Sequence, residues 1–169
     1  MMKFLAGLLV GICLPLVAGY LFITRGGIAM TTSGGPLPME RLLAHQAVAA
    51  SMGKAEDDKS PFPADGANLL AGARVYQENG CQGCHGKLGA SPSRMSKRFY
   101  PHAPGLMPPS HGVTDDPVGE TRWVVKNGIR FSAMPSFGEK LTDEEMWQVS
   151  MLLHEADKLP PTVQEALRK

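Results

Sequence analysis

The five residues Cys81-Gln82-Gly83-Cys84-His85 constrain this chain more than anything else in it. Two thiols three positions apart, with an imidazole beside the second, suit only a few chemistries. A structural zinc site needs four N or S ligands, and neither a second Cys pair nor a paired His motif follows downstream. A thioredoxin-like redox pair belongs in a βαβ context, and the sequence has no alternating strand pattern. Covalent haem attachment needs only the residues in hand: each thiol adds to a vinyl group, and the adjoining His coordinates iron from one face. The third cysteine, Cys13, follows Ile12 inside an apolar run, without the small preceding residue that a lipoprotein cysteine requires, and reads as a buried small hydrophobe. An odd count of three is no disulfide framework.

Thioethers to haem are made outside the cytoplasm, so the N-terminus matters. Between Lys3 and Arg25 lie 21 uncharged residues, Phe4 to Thr24. A helix of about 20 apolar residues spans a hydrocarbon core. A cleaved signal peptide has a shorter apolar region, typically about 7–15 residues. Cleavage after Gly19 is the competing reading, but no clean Ala-x-Ala site is present. Residues 1–25 are therefore expected to be a transmembrane signal anchor. One Lys against one Arg does not set its orientation; the haem reading does, with the N-terminus inside and everything from Met39 onward in the periplasm.

Beyond the anchor, residues 26–64 read as a linker with one short helix over Met39–Met52. From Asp65 the chain becomes a string of capped helices. The first runs from about Ala67 to Asn79 and stops at Gly80. Asp116 and Pro117 offer an N-cap and a first-turn proline for a second, which Gly128 ends. Thr142 with Glu145 forms a capping box for a third, and Thr162 with Glu165 repeats that signal in a tail, residues 162–169. The expected fold class is all-α, with the haem domain at 65–161. Low aromatic content (7%), 14 Pro and 19 Gly suit a loop-rich domain whose core is completed by a large apolar cofactor. Net charge is +1, with no polybasic stripe, so nucleic acid is not an expected partner.

A haem of this kind needs a sixth ligand, and a methionine there raises the reduction potential. Among ten methionines, Met134 stands out. It lies in a loop between two helices, 49 residues after His85, with Pro135 stiffening the chain beside it. Met146 and Met151 sit at helical spacing, where core packing is the default. His102, His111 and His154 are the rival ligands, and a bis-His iron has a lower potential and a different role. His45 reads as a solvent-facing residue.

These motifs together resemble a class I cytochrome c of the bacterial, membrane-attached, mono-haem kind, over Asp65 to about Pro161. The matching pieces are Gly72 with Tyr76, Cys81-x-x-Cys84-His85, Pro104-Gly105-Leu106, Asn127-Gly128-Ile129, Met134-Pro135 and Leu141-Thr142-Asp143-Glu144-Glu145. The resemblance implies a small helical domain wrapped around one covalent haem c. It implies that Gly72 lets the first helix cross the last closely, opposite Trp147 or Met151. By the same resemblance the Pro104 carbonyl accepts the His85 Nδ1 hydrogen bond, although Ala103 stands where many relatives have Gly. Leu106, Trp123, Ile129 and Phe137 are expected to line the pocket, and Arg98, Tyr100 and Arg130 to meet the propionates.

A haem with both axial positions filled leaves outer-sphere electron transfer as its work. The expectation is an electron carrier rather than an enzyme, single-pass in a bacterial inner membrane. Its partners would be redox proteins: a membrane dehydrogenase, a quinol-oxidising complex or a terminal oxidase. The alternatives are a cytochrome c subunit of a larger dehydrogenase or oxidase, and a haem peroxidase or sensor with an open axial site. The small net charge argues against long-range steering.

Overall fold

The computed structural model describes residues 1–28 and 30–168. Among them every regular element is helical. The chain forms two compact units, Met1–Pro36 and the residues from Leu37 onward.

The first unit is helix α1, Met2–Thr24, with a mean hydropathy of 2.3 and no buried residue. By length and composition it is able to cross a membrane. Cys13 is exposed on it rather than buried, as is every other residue of this helix. An apolar surface of that kind suits a lipid surrounding.

In the second unit, α2 (Glu40–Met52) buries nothing. The packed body begins with a 3₁₀ turn at Ala55–Asp57 and continues through α3 (Gly66–Glu78), α4 (Cys81–His85), α5 (Val118–Asn127), α6 (Asp143–His154) and α7 (Pro161–Arg168). Asp65 caps α3 by accepting from Asn68 N–H at 2.9 Å. The capping box of α6 is complete: Thr142 Oγ1 accepts from Glu145 N–H at 3.2 Å, and Glu145 Oε2 accepts from Thr142 N–H at 2.8 Å. From Met146 to Leu153 every residue of α6 is buried. It is the centre of the domain, with α3 and α5 both packed on it and α7 lying along α3.

Three local readings change. Asp116 does not cap α5; the N-cap is Pro117 itself, without a side-chain cap, and the helix starts at Val118. Helix α7 starts at Pro161, so Thr162 lies within it and is not its cap. The fixed φ of a first-turn proline already suits a helix start, and Val163 N–H finds the Pro160 carbonyl at 3.0 Å. Gly72 faces the Gln148 carbonyl and Leu152, not Trp147 or Met151: a Cβ built on Gly72 would overlap that backbone oxygen. The close crossing itself is there.

The body also reaches beyond residues 65–161. Ala55 is 5% exposed before it, and Val163 and Leu167 are 0% and 3% exposed after it.

Candidate functional site

A small cavity, about 30 Å³, lies between α3, α4, α5 and α6 and the loop before α6. Its walls are hydrocarbon: Val75 from α3, Val125 from α5, Val149 and Leu153 from α6, with Leu106, Phe137 and Leu141 from the connecting loops. Its remaining lining groups are Tyr76, Cys81, His85 and Met134. Its lining, apolar with a few convergent donors, has the chemistry of a small-molecule cofactor site.

Residues Cys81, Cys84 and His85 share one short helix, α4. Positions i, i+3 and i+4 fall on one helical face, so the motif presents both sulfurs and the imidazole on the same side. Gly80 starts the turn at φ 73° and Gly86 ends it at φ 91°, conformations that glycine adopts freely. Cys81 and His85 line the cavity, whereas Cys84 is half-buried outside the lining.

The His85 ring is held by the chain. Its Nδ1–H donates to the Pro104 carbonyl at 2.8 Å, and the His85 carbonyl accepts from Leu106 N–H at 3.0 Å. A carbonyl only accepts, so the proton is on Nδ1 and the lone pair on Nε2 is free for a metal. Burial lowers the His85 pKa, opposed by the Pro104 hydrogen bond, and the neutral imidazole is the ligating form. Burial raises the Cys81 thiol, partly offset by hydrogen bonding and by the charge of Lys140.

Met134 is positioned from both sides. Its N–H donates to Ser132 Oγ at 3.1 Å, and its carbonyl accepts from Ile129 N–H at 3.1 Å. The following residues are tied to the end of α5: Ser136 Oγ donates to the Lys126 carbonyl at 2.6 Å and Phe137 N–H to the Val125 carbonyl at 3.0 Å. Gly128, at φ 67°, lies against the backbone of Pro135 and Ser136, where a Cβ would collide. Among the ten methionines only Met134 lines the cavity; Met107, Met146 and Met151 are buried in the core instead.

The rival histidines lie elsewhere. His102 Nδ1 is bonded to the Phe99 carbonyl at 2.7 Å, His154 Nδ1 to the Asp116 carbonyl at 3.0 Å, and His111 is exposed beside Asp115. None lines the cavity, and His45 is exposed on α2. Of the expected wall residues, Leu106 and Phe137 are there, while Trp123 and Ile129 are not among the lining. The aliphatic walls from α3, α5 and α6 carry no motif, and only their helical periodicity marks them in the sequence.

The donor set fits a c-type haem: two cysteines and a histidine on one helical face, Nε2 free, a thioether on the same cavity, and dry walls. It does not fit a cluster of His, Cys, Asp and Glu around a bare metal ion, and no such group of three occurs among the described residues. Residues 67–151, just over half of the chain, match the family model described as cytochrome C oxidase, cbb3-type, subunit III. No curated protein and no solved structure matches the chain.

Proposed function

The chain belongs to the cbb3-type cytochrome c oxidase subunit III family, and on that premise we propose a single-haem electron carrier with His85 and Met134 as axial ligands. It is a class I c-type cytochrome with an all-helical haem domain and one N-terminal apolar helix. In this reading Cys81 and Cys84 carry the thioethers. Helix α1 anchors the chain in a bacterial inner membrane, N-terminus inside, with the haem domain in the periplasm.

The observation that carries it is the pairing of His85 and Met134 in one apolar cavity. When bound, haem supplies a one-electron Fe(III)/Fe(II) couple. The chain does the rest. Pro104 holds the imidazole through Nδ1, the Ile129–Met134 loop holds the thioether, and the walls from α3, α5 and α6 exclude water. With His85 and Met134 both holding the group, neither oxygen nor peroxide would find a place on its iron. Electrons then enter and leave one at a time, between redox proteins. The family description favours a subunit of an oxidase complex over a freely exchanging carrier; co-purification from gently solubilised membranes separates the two.

The test is the optical spectrum of the oxidised protein, matured with covalent haem. His/Met ligation gives a weak long-wavelength band from methionine sulfur to ferric iron, and Met134→Ala abolishes it. A parent protein with covalent haem and no such band would sink the closed-site reading and favour an open-site peroxidase or sensor.

A further inference from the structure

Large apolar side chains left in water are unevenly spread along this chain. Outside α1, seven are exposed among the described residues, and five of them (Met30, Leu37, Met39, Leu42 and Leu43) lie between the end of α1 and residue 43. Everything after Leu43 contributes only Met95 and Phe131. Single exposed apolar residues are ordinary on a protein surface, but a concentration of them marks a contact. Charge is missing from the same stretch: no residue between Arg25 and Glu40 is ionisable.

Helix α2 ends this run. At 3.6 residues per turn, Leu42, Leu43, Gln46, Ala47, Ala49 and Ala50 share one face about 160° wide. All six are exposed. Glu40, Arg41 and His45, the ionisable residues of the helix, fall outside that face, and the half-buried Val48 and Met52 lie on the opposite side.

Little holds α2 together in water. It has 13 residues, and its N-cap is Met39 at φ 63°, with no side-chain cap bond. An isolated helix shorter than about 12–15 residues is marginal in water. No pair of opposite charges stands three or four residues apart within it, and the Glu40 carboxylate is taken up by the Leu37 N–H at 2.6 Å. A helix of this kind needs an apolar surface to lie on, and its open face offers the matching one.

We propose that α2 is an interfacial helix, lying along the bilayer that α1 crosses with its Leu42, Leu43 and Ala47 face in the acyl boundary. This rests on the membrane-anchor reading of α1 given above. The bilayer is the occupant because exposed apolar side chains begin at the membrane helix and thin out past α2. A protein partner would take the same face, yet it gives no reason for Met30, Leu37 and Met39 to be exposed on the way there. Arg41 and His45 are the only cationic side chains α2 can offer, so apolar burial rather than headgroup charge holds it. Only Gly53 and Lys54 separate α2 from the 3₁₀ turn packed on α5. A helix fixed in the interface therefore keeps the haem domain close to the bilayer, where its search for redox partners is two-dimensional.

The test uses the full chain with haem in nanodiscs, one chain per disc, spin-labelled at one cysteine at a time. Collision of the label with oxygen, which concentrates in lipid, is compared with collision with neutral nickel ethylenediaminediacetate, which stays in water. Native Cys13 on α1 is the reference, and positions in α2 are labelled in a Cys13→Ser chain whose Cys81 and Cys84 are taken by haem. Leu43→Cys and Ala47→Cys are expected to give an oxygen-to-nickel ratio about tenfold above that of His45→Cys, on the far side of the helix. The contrast is expected to be the same in zwitterionic and anionic discs, and from about 0.05 M to about 0.5 M salt, because the face carries no charge. Adding Leu42→Glu/Gln46→Glu removes the contrast while the methionine-to-iron band stays. Equal ratios at positions 43, 45 and 47 overturn the interfacial helix and leave the anchor intact. So does shielding of Leu43→Cys from both reagents, because protein then covers the face. A contrast seen only in anionic lipid overturns it too, because charge then holds the helix. A water-like ratio at Cys13 overturns the anchor reading itself.

Discussion

Tyr76 shows how a single side chain closes the site. It is 1% exposed, and its hydroxyl donates to the Gly86 carbonyl at 2.7 Å, one residue past the axial-ligand candidate His85. Burial pushes its phenol well above the usual range, so it is a donor at neutral pH. Tyr76→Phe leaves that carbonyl unsatisfied and is expected to lower unfolding stability by about 1–2 kcal/mol, read from the denaturant midpoint of the haem-bearing protein. An unchanged midpoint would mean that water replaces the hydroxyl. At this scale the sequence is most legible where function depends on neighbours in the chain. The Cys81, Cys84 and His85 pattern is local, and so is the Met134-Pro135 loop. The partner of Gly72 is not, because it depends on how α6 is rotated about its own axis. One residue of rotation moved the contact from Trp147 to Gln148. The same applies to Trp123 and Ile129, which belong to the right segments but do not line the cavity.

Helix ends were readable where one cap acts unopposed. The α6 box is the best case, and it carries a pH dependence. Hydrogen bonds from the Thr142 backbone and hydroxyl hold the Glu145 carboxyl below its ordinary value of 4.5. A carboxyl with a depressed folded pKa contributes stability that is fully present above its unfolded value and is lost as pH falls through the folded one. The Glu145 contribution is therefore expected to fade only below about pH 4.5. Glu145→Gln removes that part of the acid dependence, and Thr142→Ala lowers stability by about 1 kcal/mol at neutral pH. Unfolding midpoints measured across the acid range check both; parallel curves for Glu145→Gln and parent would show that the carboxylate contributes nothing. The end of α7 was misread for a physical reason. Pro161 and Thr162 are both helix-start signals one residue apart, and the proline prevailed. Helix α4 has no signal of its own in the sequence, since five residues carry no periodicity.

The whole molecule holds one feature that linear reading placed outside the domain. Residues 26–64 looked like a linker, yet the turn at Ala55–Asp57 packs on α5 and Phe62 packs against the core. Helix α5 admits it because Gly119 has no side chain: a Cβ there would meet the Ala55 and Asp58 carbonyls. Arg122 fastens it further, lying 4.0 Å from Asp58, bonding Asp143 at the start of α6, and stacking over Trp147 at 4.7 Å. The contacts of Ala55 and Asp58 with Gly119 and Arg122 join residues more than 60 positions apart, and no local pattern announces them. Gly119→Ala is the discriminating change because two effects oppose each other. In an unobstructed helix, Ala for Gly is stabilising by about 1 kcal/mol. Under a seated strap, the added carbon pushes against two backbone oxygens, which cannot rotate away as a side chain would. The expected result in the full chain is lower stability together with faster tryptic cleavage after Lys59, whose neighbour Asp58 is pressed on Gly119 in the parent. A variant that is more stable than the parent, with cleavage after Lys59 unchanged, would return the segment to the status of a free linker. Displacement of the strap is expected to leave the methionine-to-iron band in place, since neither Ala55 nor Asp58 lines the cavity. The same spectrum that tests the axial ligands thus separates a loosened attachment from a damaged haem site.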